Sequence, residues 1–204
     1  MPTQQGIVGP VPAGHDPEEY DKLRRRVLWK MPSGLYVLGS RAGERRNGMT
    51  ANWVTQLSFD PKLVGVSVER EAFTHELVAD GGVFCVNLVA QEDRAIVRKF
   101  TKPVEVDLAA KTLNGFPYIE KVTGAPILEQ SAAYLDCEVR QTVAAGSHTF
   151  FIGEVVEAGF LRGEETPVPP GFVIPARSRR CAPGRSGPAR CSAGYPLRDA
   201  RSCP

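Results

Sequence analysis

The sequence lacks the signatures of several common enzyme classes. No Gly-x-Gly-x-x-Gly run follows a strand and no Gly-x-x-x-x-Gly-Lys-Ser/Thr loop is present, so neither a Rossmann site nor a phosphate-loop site is supported. His75 and Glu76 begin like a zinc-protease helix, but Ala79 stands where the second histidine would be. A Gly-x-Ser-x-Gly elbow is also missing, which argues against an α/β-hydrolase.

Long apolar runs are missing too. The chain contains no stretch of about 18 consecutive apolar residues, and its N-terminus has no basic region followed by an apolar one. We therefore expect a cytoplasmic protein with no membrane partner. Its 204 residues, of which 42% are hydrophobic, suffice for one well-packed domain.

Charge divides the chain into two parts. After Gly171 there are seven Arg and one Asp, and because the net charge of the whole chain is +2, the preceding residues carry about −4. From Phe172 the chain consists mainly of Arg, Pro, Ala, Ser, Gly and Cys, without Lys or apolar periodicity. Residues 171–204 are thus either a disordered basic extension or the product of a reading-frame slip near Pro169.

The five cysteines divide in the same way. Cys85 and Cys137 lie in strand-like apolar surroundings, where we expect small buried hydrophobic residues. The other three are in the tail, with no Cys-x-x-Cys pair and no nearby His: Cys181, Cys191 and Cys203. The spacing does not favour zinc, so no metal site is predicted.

Residues 1–15 are rich in Pro and Gly and are predicted to form a flexible leader. Asp16 as N-cap, followed by Pro17 at the first helical position, predicts a short helix. One face of this amphipathic helix would carry the apolar residues Tyr20, Leu23 and Val27.

Six or seven strand-like runs follow. In chain order they are GLYVLGS, the segment through Trp53 and Leu57, VGVSVE, VFCVNLVA, AAYLDCEVRQTVAAG and SHTFFIGEVVEAGFL. Short helices are predicted at FTHELVADGG and QEDRAIVRKFTKP, and turns at RAGERRNG, at FDPK and at Gly146. The pattern favours a mainly β domain over residues 16–170, a closed antiparallel barrel with short helices rather than a parallel sheet.

Each histidine allows a structural and a functional interpretation. His15 is expected to be an exposed neighbour of the helix cap. His75 opens a helix and is either a surface residue or an anion contact. His148 begins a strand after a glycine turn, where it is either a solvent-facing edge residue or part of a site.

Three ordered segments carry a family resemblance: NGMTANWVTQLSFDPKLVGVSVE, FTHELVADGGVFCVNL and GSHTFFIGEVVEA. With them the chain, from about residue 31 to about residue 162, resembles the flavin reductase-like FMN-binding split-barrel family. It is most similar to the flavoredoxin and ferric reductase branch. The resemblance implies a six-stranded antiparallel Greek-key barrel that forms a homodimer, with FMN sites near the subunit interface.

The resemblance also implies a cofactor site. Thr50, Ala51 and Asn52 would line the flavin and its ribityl chain, and Met49 or Trp53 would give an apolar contact, although for Trp53 core packing is the favoured interpretation. The helix that follows Arg70 would face the phosphate with its positive end. The predicted cofactor-binding residues are Asn47, Gly48, Met49, Thr50, Ala51, Asn52, Gln56, Ser58, Ser67, Val68, Glu69, Arg70, Thr74, His75 and Asn87.

His148 is the predicted catalytic residue. It matches the His of the His-Thr motif in the ferric reductase branch, where that residue lies over the flavin face near the nicotinamide. Two departures from the family pattern limit the comparison. Asn47 stands where that branch can carry Cys, so a thiol role is unsupported, and the usual C-terminal segment is unrecognisable after Thr166.

The implied activity is an NAD(P)H-dependent flavin reductase, in which nicotinamide passes a hydride to flavin N5 and the electrons go on to a flavin, a metal or a protein such as a monooxygenase. The alternative is an FMN electron carrier without its own nicotinamide site. A third hypothesis, a nucleic-acid or acidic-partner binder, would depend on the Arg-rich tail. The tail interleaves Arg with Pro and Gly rather than aromatic residues, so no nucleic-acid partner is predicted.

Overall fold

Strands dominate residues 9–166, the part of the chain that the computed structural model describes. In chain order they are β1 Tyr36–Ala42, β2 Arg45–Ala51, β3 Val54–Phe59, β4 Lys62–Glu69, β5 Val83–Leu88, β6 Val106–Asp107, β7 Thr112–Leu113, β8 Phe116–Ile119, β9 Ile127–Leu128, β10 Ala133–Ala145 and β11 His148–Phe160. The helical segments are α1 Pro17–Leu28, α2 Phe73–Gly81 and a 3-10 segment, Gln91–Phe100. The predicted tail, residues 171–204, lies outside the described residues, as do residues 1–8 of the predicted leader.

Seven strands form one antiparallel sheet in the order β2-β1-β5-β10-β11-β4-β3. Its two edge strands, β2 and β3, are consecutive in the chain and are separated only by Asn52 and Trp53. The sheet therefore curves until its edges meet, and β2 with β3 acts as one bent strand of a six-stranded barrel. The chain leaves β4 through α2 and returns as β5 beside β1, a Greek-key crossover. The predicted mainly β, antiparallel barrel is confirmed.

The barrel interior is filled by alternate residues of these strands. Val64, Val66 and Val68 of β4 are buried there, as their alternation predicts, and so is Cys137. Cys85 is also buried, but on the outer face of β5, against Ala125 and Ile127. Leu57 of β3, in contrast, is 43% exposed. The reason is a register shift between Gln56 and Ser58, which leaves Leu57 as the extra residue of a bulge.

A second layer covers one side of the barrel. It consists of the 3-10 segment and the four-stranded sheet β6-β7-β8-β9, and it packs against the outer face of β1. Its core includes Val37, Val97, Phe100 and Leu113. The sequence predicted the helical segment but not the small sheet, because strands of two to four residues are too short to show an alternating pattern.

Gly48 lies where the barrel contacts this layer. A Cβ atom at this position would lie 2.9 Å from Cδ1 and Cε1 of Phe100, a residue that is 1% exposed. We expect Gly48→Ala to lower the free energy of unfolding in urea by about 1–3 kcal/mol through overpacking. Adding Phe100→Leu should make room for the methyl group, so the double variant should lose less than the sum of the two single changes. Strictly additive losses would contradict this packing argument.

The predicted N-terminal helix is confirmed as α1. The Asp16 side chain accepts a hydrogen bond from the Glu19 amide at 2.9 Å, and Pro17 is the first helical residue. None of its residues is buried, and Leu23 and Val27 are 49% and 60% exposed, so its apolar face is not covered by the rest of residues 9–166. No helix in this range is long and apolar enough to span a membrane.

Candidate functional site

The C-terminal end of β4 and the start of β11 meet at one rim of the barrel. His148 is paired with Glu69, and the Arg70 amide donates to the Ser147 carbonyl at 3.0 Å. The bend between β2 and β3 joins them there, because the Ser67 amide donates to the Trp53 carbonyl at 3.0 Å. We call the side chains gathered at this rim the rim cluster: Trp53, Glu69, Arg70, His75, Ser147 and His148.

His148 occupies the centre of the rim cluster. Its ring centroid lies 4.8 Å from that of Trp53, with the ring planes inclined at 46°. Its Nδ1 is 2.9 Å from the Ser147 hydroxyl oxygen. Trp53 is 55% exposed, so the expectation of core packing is wrong. The bend at Asn52 and Trp53 interrupts the strand alternation, which leaves the indole on the outer face.

His75 lies at the start of α2 and faces the same rim. Its Nε2 is 2.8 Å from the Thr149 hydroxyl oxygen, and its ring centroid is 5.3 Å from that of Phe151. Burial, and secondarily the positive charge of Arg70, lowers the pKa of His75 below its usual 6.5. The neutral imidazole is therefore the form that the folded protein favours.

This lowered pKa has a consequence for stability. As pH falls below 6.5 the unfolded chain binds a proton at His75 before the folded chain does, so stability is lost until pH passes the folded pKa. His75→Gln, which retains a hydrogen-bond donor for Thr149, should remove this pH-dependent loss of stability. We expect the free energy of unfolding, measured in urea at several pH values, to fall less steeply for the variant as pH is lowered below about 6.5. Identical pH profiles would refute this assignment.

The first turn of α2 lies next to Arg70, which is exposed. The helix has Ala72 as its N-cap, without a side-chain cap hydrogen bond. The His75 amide donates to the Ala72 carbonyl at 2.9 Å, so the two preceding amides, of Phe73 and Thr74, are those that an anion could engage. Thr74, in contrast, is 1% exposed, and its hydroxyl accepts a hydrogen bond from Asn47 Nδ2 at 2.8 Å. The side chains of Thr74 and Asn47 therefore tie α2 to β2, while Arg70 is available to a ligand.

Ser67 of β4 lies on the outer face beside Trp53, but several other predicted cofactor residues of β2 and β4 do not present side chains to the rim. Ala51 and Val68 are buried in the barrel core, and Met49 is packed against it, so their backbones alone could reach a ligand. Thr50 lies on the opposite face of β2 and donates from its hydroxyl to the Val97 carbonyl at 2.6 Å. Asn52, at the bend, is exposed.

Gln56 and Ser58 lie toward the far end of β3. Ser58 is paired with Leu63, six residues before Glu69, which is about 20 Å from the rim at about 3.3 Å per residue. The Ser58 hydroxyl accepts from the Asp60 amide at 3.2 Å and so caps the following turn. Ser58 therefore has a structural contact, and neither residue belongs to the rim cluster.

Asn87 is fully buried on the outer side of the barrel, away from the rim. Its amide nitrogen donates to the carbonyls of Val37 and Pro126 at 3.1 and 3.2 Å. Its oxygen accepts from the Leu128 amide at 2.7 Å and from the Ser131 hydroxyl at 3.4 Å. Protein groups therefore occupy its whole hydrogen-bonding capacity, and we leave Asn87 out of the candidate site.

Two residues of the rim were not singled out from the sequence. Ser147 and Thr149 flank His148, and each hydrogen-bonds to an imidazole. The turn at Gly146, whose φ is +61°, places Ser147 at the start of the strand. That turn was predicted, but the contact of Thr149 with His75 depends on how α2 packs against β11, which the sequence alone does not define.

The composition of the rim indicates the kind of ligand that it fits. An exposed indole and a half-buried imidazole offer surfaces for an aromatic ring system, and Asn52 adds an exposed amide. Arg70, at the open start of α2, offers a charge for an anionic group. This set of side chains fits a planar heterocycle that carries a phosphate.

Comparison with known proteins agrees with this ligand class. The family model described as flavin reductase like domain matches residues 28–173. The high molecular weight rubredoxin of Moorella thermoacetica is 34% identical over 68% of this chain, which spans 61% of that protein's length. The NADH-dependent FAD reductase of Streptomyces globisporus is 31% identical over 74% of this chain and 82% of its own. The ferric-chelate reductase (NAD(P)H) of Archaeoglobus fulgidus is 33% identical over 68% of this chain and 82% of its own.

Similarity to solved structures indicates the same class of ligand. The NADH:FAD oxidoreductase of Streptomyces globisporus in complex with NAD and FAD fragments has a TM-score of 0.60 at 29% identity, covering 71% of this chain and 84% of that one. The FMN-binding protein of Thermus thermophilus has a TM-score of 0.58 at 29% identity, covering 74% and 78%.

Proposed function

The chain belongs to the flavin reductase-like family, and from this premise we propose that it is an NAD(P)H-dependent flavin reductase that binds FMN at the rim cluster. One observation supports this most strongly. His148, Trp53 and Arg70, which lie in three separate segments of the chain, are brought to a single rim by the pairing of β11, β4 and the bend before β3.

The roles of the residues follow from their chemistry. A flavin at the rim would supply the chemistry of accepting a hydride from a nicotinamide at N5. Arg70 and the first amides of α2 would bind the phosphate, and Trp53 with Asn52 would hold the ring system. His148 would orient the two rings and stabilise negative charge as it develops. No side-chain nucleophile is required.

Membership of the family does not define which flavin or which nicotinamide this chain uses, so both are proposed here. The Thermus thermophilus neighbour is an FMN-binding protein, and the Streptomyces globisporus neighbour was solved with NAD and FAD fragments. We propose FMN because Arg70 and the short open turn of α2 suit a single phosphate. NADH or NADPH is the donor, and a flavin, metal or protein such as a monooxygenase is the acceptor.

We also propose that the protein acts as a homodimer. Val143, Phe150, Ser67 and Trp53 form one row across the outer faces of β10, β11, β4 and the bend, and Val143 and Trp53 are 42% and 55% exposed. Three large apolar side chains in one row beside the site suit an interface between copies. Light scattering should give twice the chain mass for the wild type and a lower mass for Val143→Glu. A monomeric wild type would contradict the dimer.

The proposed activity is tested by steady-state assays on the purified full chain. Flavin fluorescence should be quenched on binding, and NADH or NADPH should be oxidised only when flavin is added. FAD serves as the comparison, with FMN expected to bind more tightly. A protein that neither quenches flavin fluorescence nor oxidises either nicotinamide would refute the proposal.

A further inference from the structure

His148 is contacted by two neighbours whose backbones are both anchored to the end of β4. The Ser147 hydroxyl oxygen lies 2.9 Å from His148 Nδ1, and the Trp53 indole lies 4.8 Å from the imidazole, centroid to centroid. The Ser147 carbonyl accepts from the Arg70 amide, and the Trp53 carbonyl accepts from the Ser67 amide, each at 3.0 Å. Three segments of the chain are thereby held in register around one ring.

We propose that Ser147 and Trp53 are positioning residues for His148. The Ser147 hydroxyl donates to Nδ1, which places the proton of the neutral ring on Nε2, and the Trp53 indole restricts rotation of the ring. The first function is electronic and the second steric, so they can be tested separately.

The direction of the Ser147 hydrogen bond decides what His148 can do. A neutral imidazole has one N–H group, and the partner of one nitrogen determines which nitrogen carries the proton. With Nδ1 accepting from Ser147, Nε2 becomes a donor. A donor stabilises negative charge that develops on a flavin as it accepts a hydride, which an unprotonated Nε2 would not do. This use of the donor rests on the proposed function, whereas the position of the proton does not.

The proton position is measured without any cofactor. The chain contains only three histidines, so long-range proton–nitrogen correlation spectra of the full-length protein are simple, and His148→Gln identifies the signals of His148. At alkaline pH, where imidazole is neutral, we expect the Nε2–H tautomer in the wild type and in Ser147→Thr. We expect a mixture of tautomers in Ser147→Ala and no change in the control Ser33→Ala, an exposed serine outside the site. An Nδ1–H tautomer in the wild type, or an unchanged Ser147→Ala spectrum, would overturn the inference.

Kinetics test the consequence. Ser147→Ala should lower kcat for flavin reduction about 10-fold and leave the KM values for flavin and nicotinamide within about twofold, since orientation rather than binding is lost. Ser147→Thr should restore kcat. Trp53→Leu should lower kcat and, because the indole would also hold the flavin, weaken flavin binding, while the Nε2–H tautomer persists. Phe59→Leu, which changes an exposed aromatic residue at the far end of β3, is the matched control.

The two proposals fail in different ways. If the tautomer responds to Ser147 but no flavin is reduced by any variant, the positioning of His148 stands and the proposed function fails. If the wild type reduces flavin and Ser147→Ala has an unchanged spectrum and kcat, the proposed function stands and the positioning role is refuted.

Discussion

Asn87→Ala should lower the free energy of unfolding by about 3–5 kcal/mol while leaving flavin affinity unchanged. Truncation leaves the buried amide of Leu128 and the carbonyl of Pro126 without their Asn87 partner, and a buried unsatisfied group costs about 1–3 kcal/mol. A domain of this size is stable by about 5–15 kcal/mol, so the variant should remain folded but melt much earlier. Urea unfolding gives the energy, and flavin titration at low temperature gives the affinity of the folded protein.

Asn52→Ala is the matched control, because it removes the same side chain at an exposed position. We expect it to change the free energy of unfolding by less than about 0.5 kcal/mol and to weaken flavin binding. Comparing the two variants thus distinguishes an amide side chain that stabilises the fold from one that contacts a ligand. Reduced flavin affinity in folded Asn87→Ala, with full stability retained, would place Asn87 in the cofactor site after all.

His148→Ala should slow flavin reduction by about 100-fold at saturating nicotinamide, with a much smaller effect on flavin affinity. The imidazole is half-buried beside Trp53, and the proposed phosphate contacts come from Arg70 and α2 instead. Its removal should therefore affect the relative orientation of the two rings more than the binding of the flavin. Stopped-flow reduction under anaerobic conditions gives the rate, and fluorescence titration gives the affinity.

His15→Ala provides the control for His148. His15 precedes α1 and is exposed, with its ring against that of Tyr20 at 5.2 Å between centroids, so its removal should leave the reduction rate unchanged. His148→Gln, which retains a hydrogen-bond donor, should recover part of the rate. A reduction rate that is the same for His148→Ala and the wild type would remove this residue from the catalytic site.

The strand pattern of the sequence predicts the barrel because alternation along β4, β5, β10 and β11 is a local property. The position of Leu57 could not be predicted in the same way. Its exposure follows from a bulge in β3, and a bulge depends on the partner strand rather than on the residue itself. The small sheet β6-β7-β8-β9 was missed for a related reason, since its strands are defined by pairing and not by length.

In the candidate site too, local patterns could be predicted from the sequence, whereas contacts between segments could not. Asn87 was singled out because a polar residue in an apolar strand needs partners, and Thr74 because it lies in the first turn of the helix after Arg70. Both have partners, but these are protein groups. A polar side chain in a strand thus predicts a hydrogen-bonding network without telling whether a ligand completes it. His148 and Arg70 came from the family resemblance. The way in which they meet Trp53 and Ser147 could not be predicted, because it depends on the register of β11, β4 and the bend.

The central claim is that this chain transfers a hydride from a nicotinamide to a flavin by itself. It is tested most directly by mixing the purified protein and FMN with NADH, and separately with NADPH, without oxygen, and following the flavin absorbance. We predict that the flavin is bleached rapidly with at least one donor, far faster than free FMN under the same conditions. Flavin that binds but is bleached no faster than free FMN would contradict the claim and indicate an electron carrier that another protein must reduce.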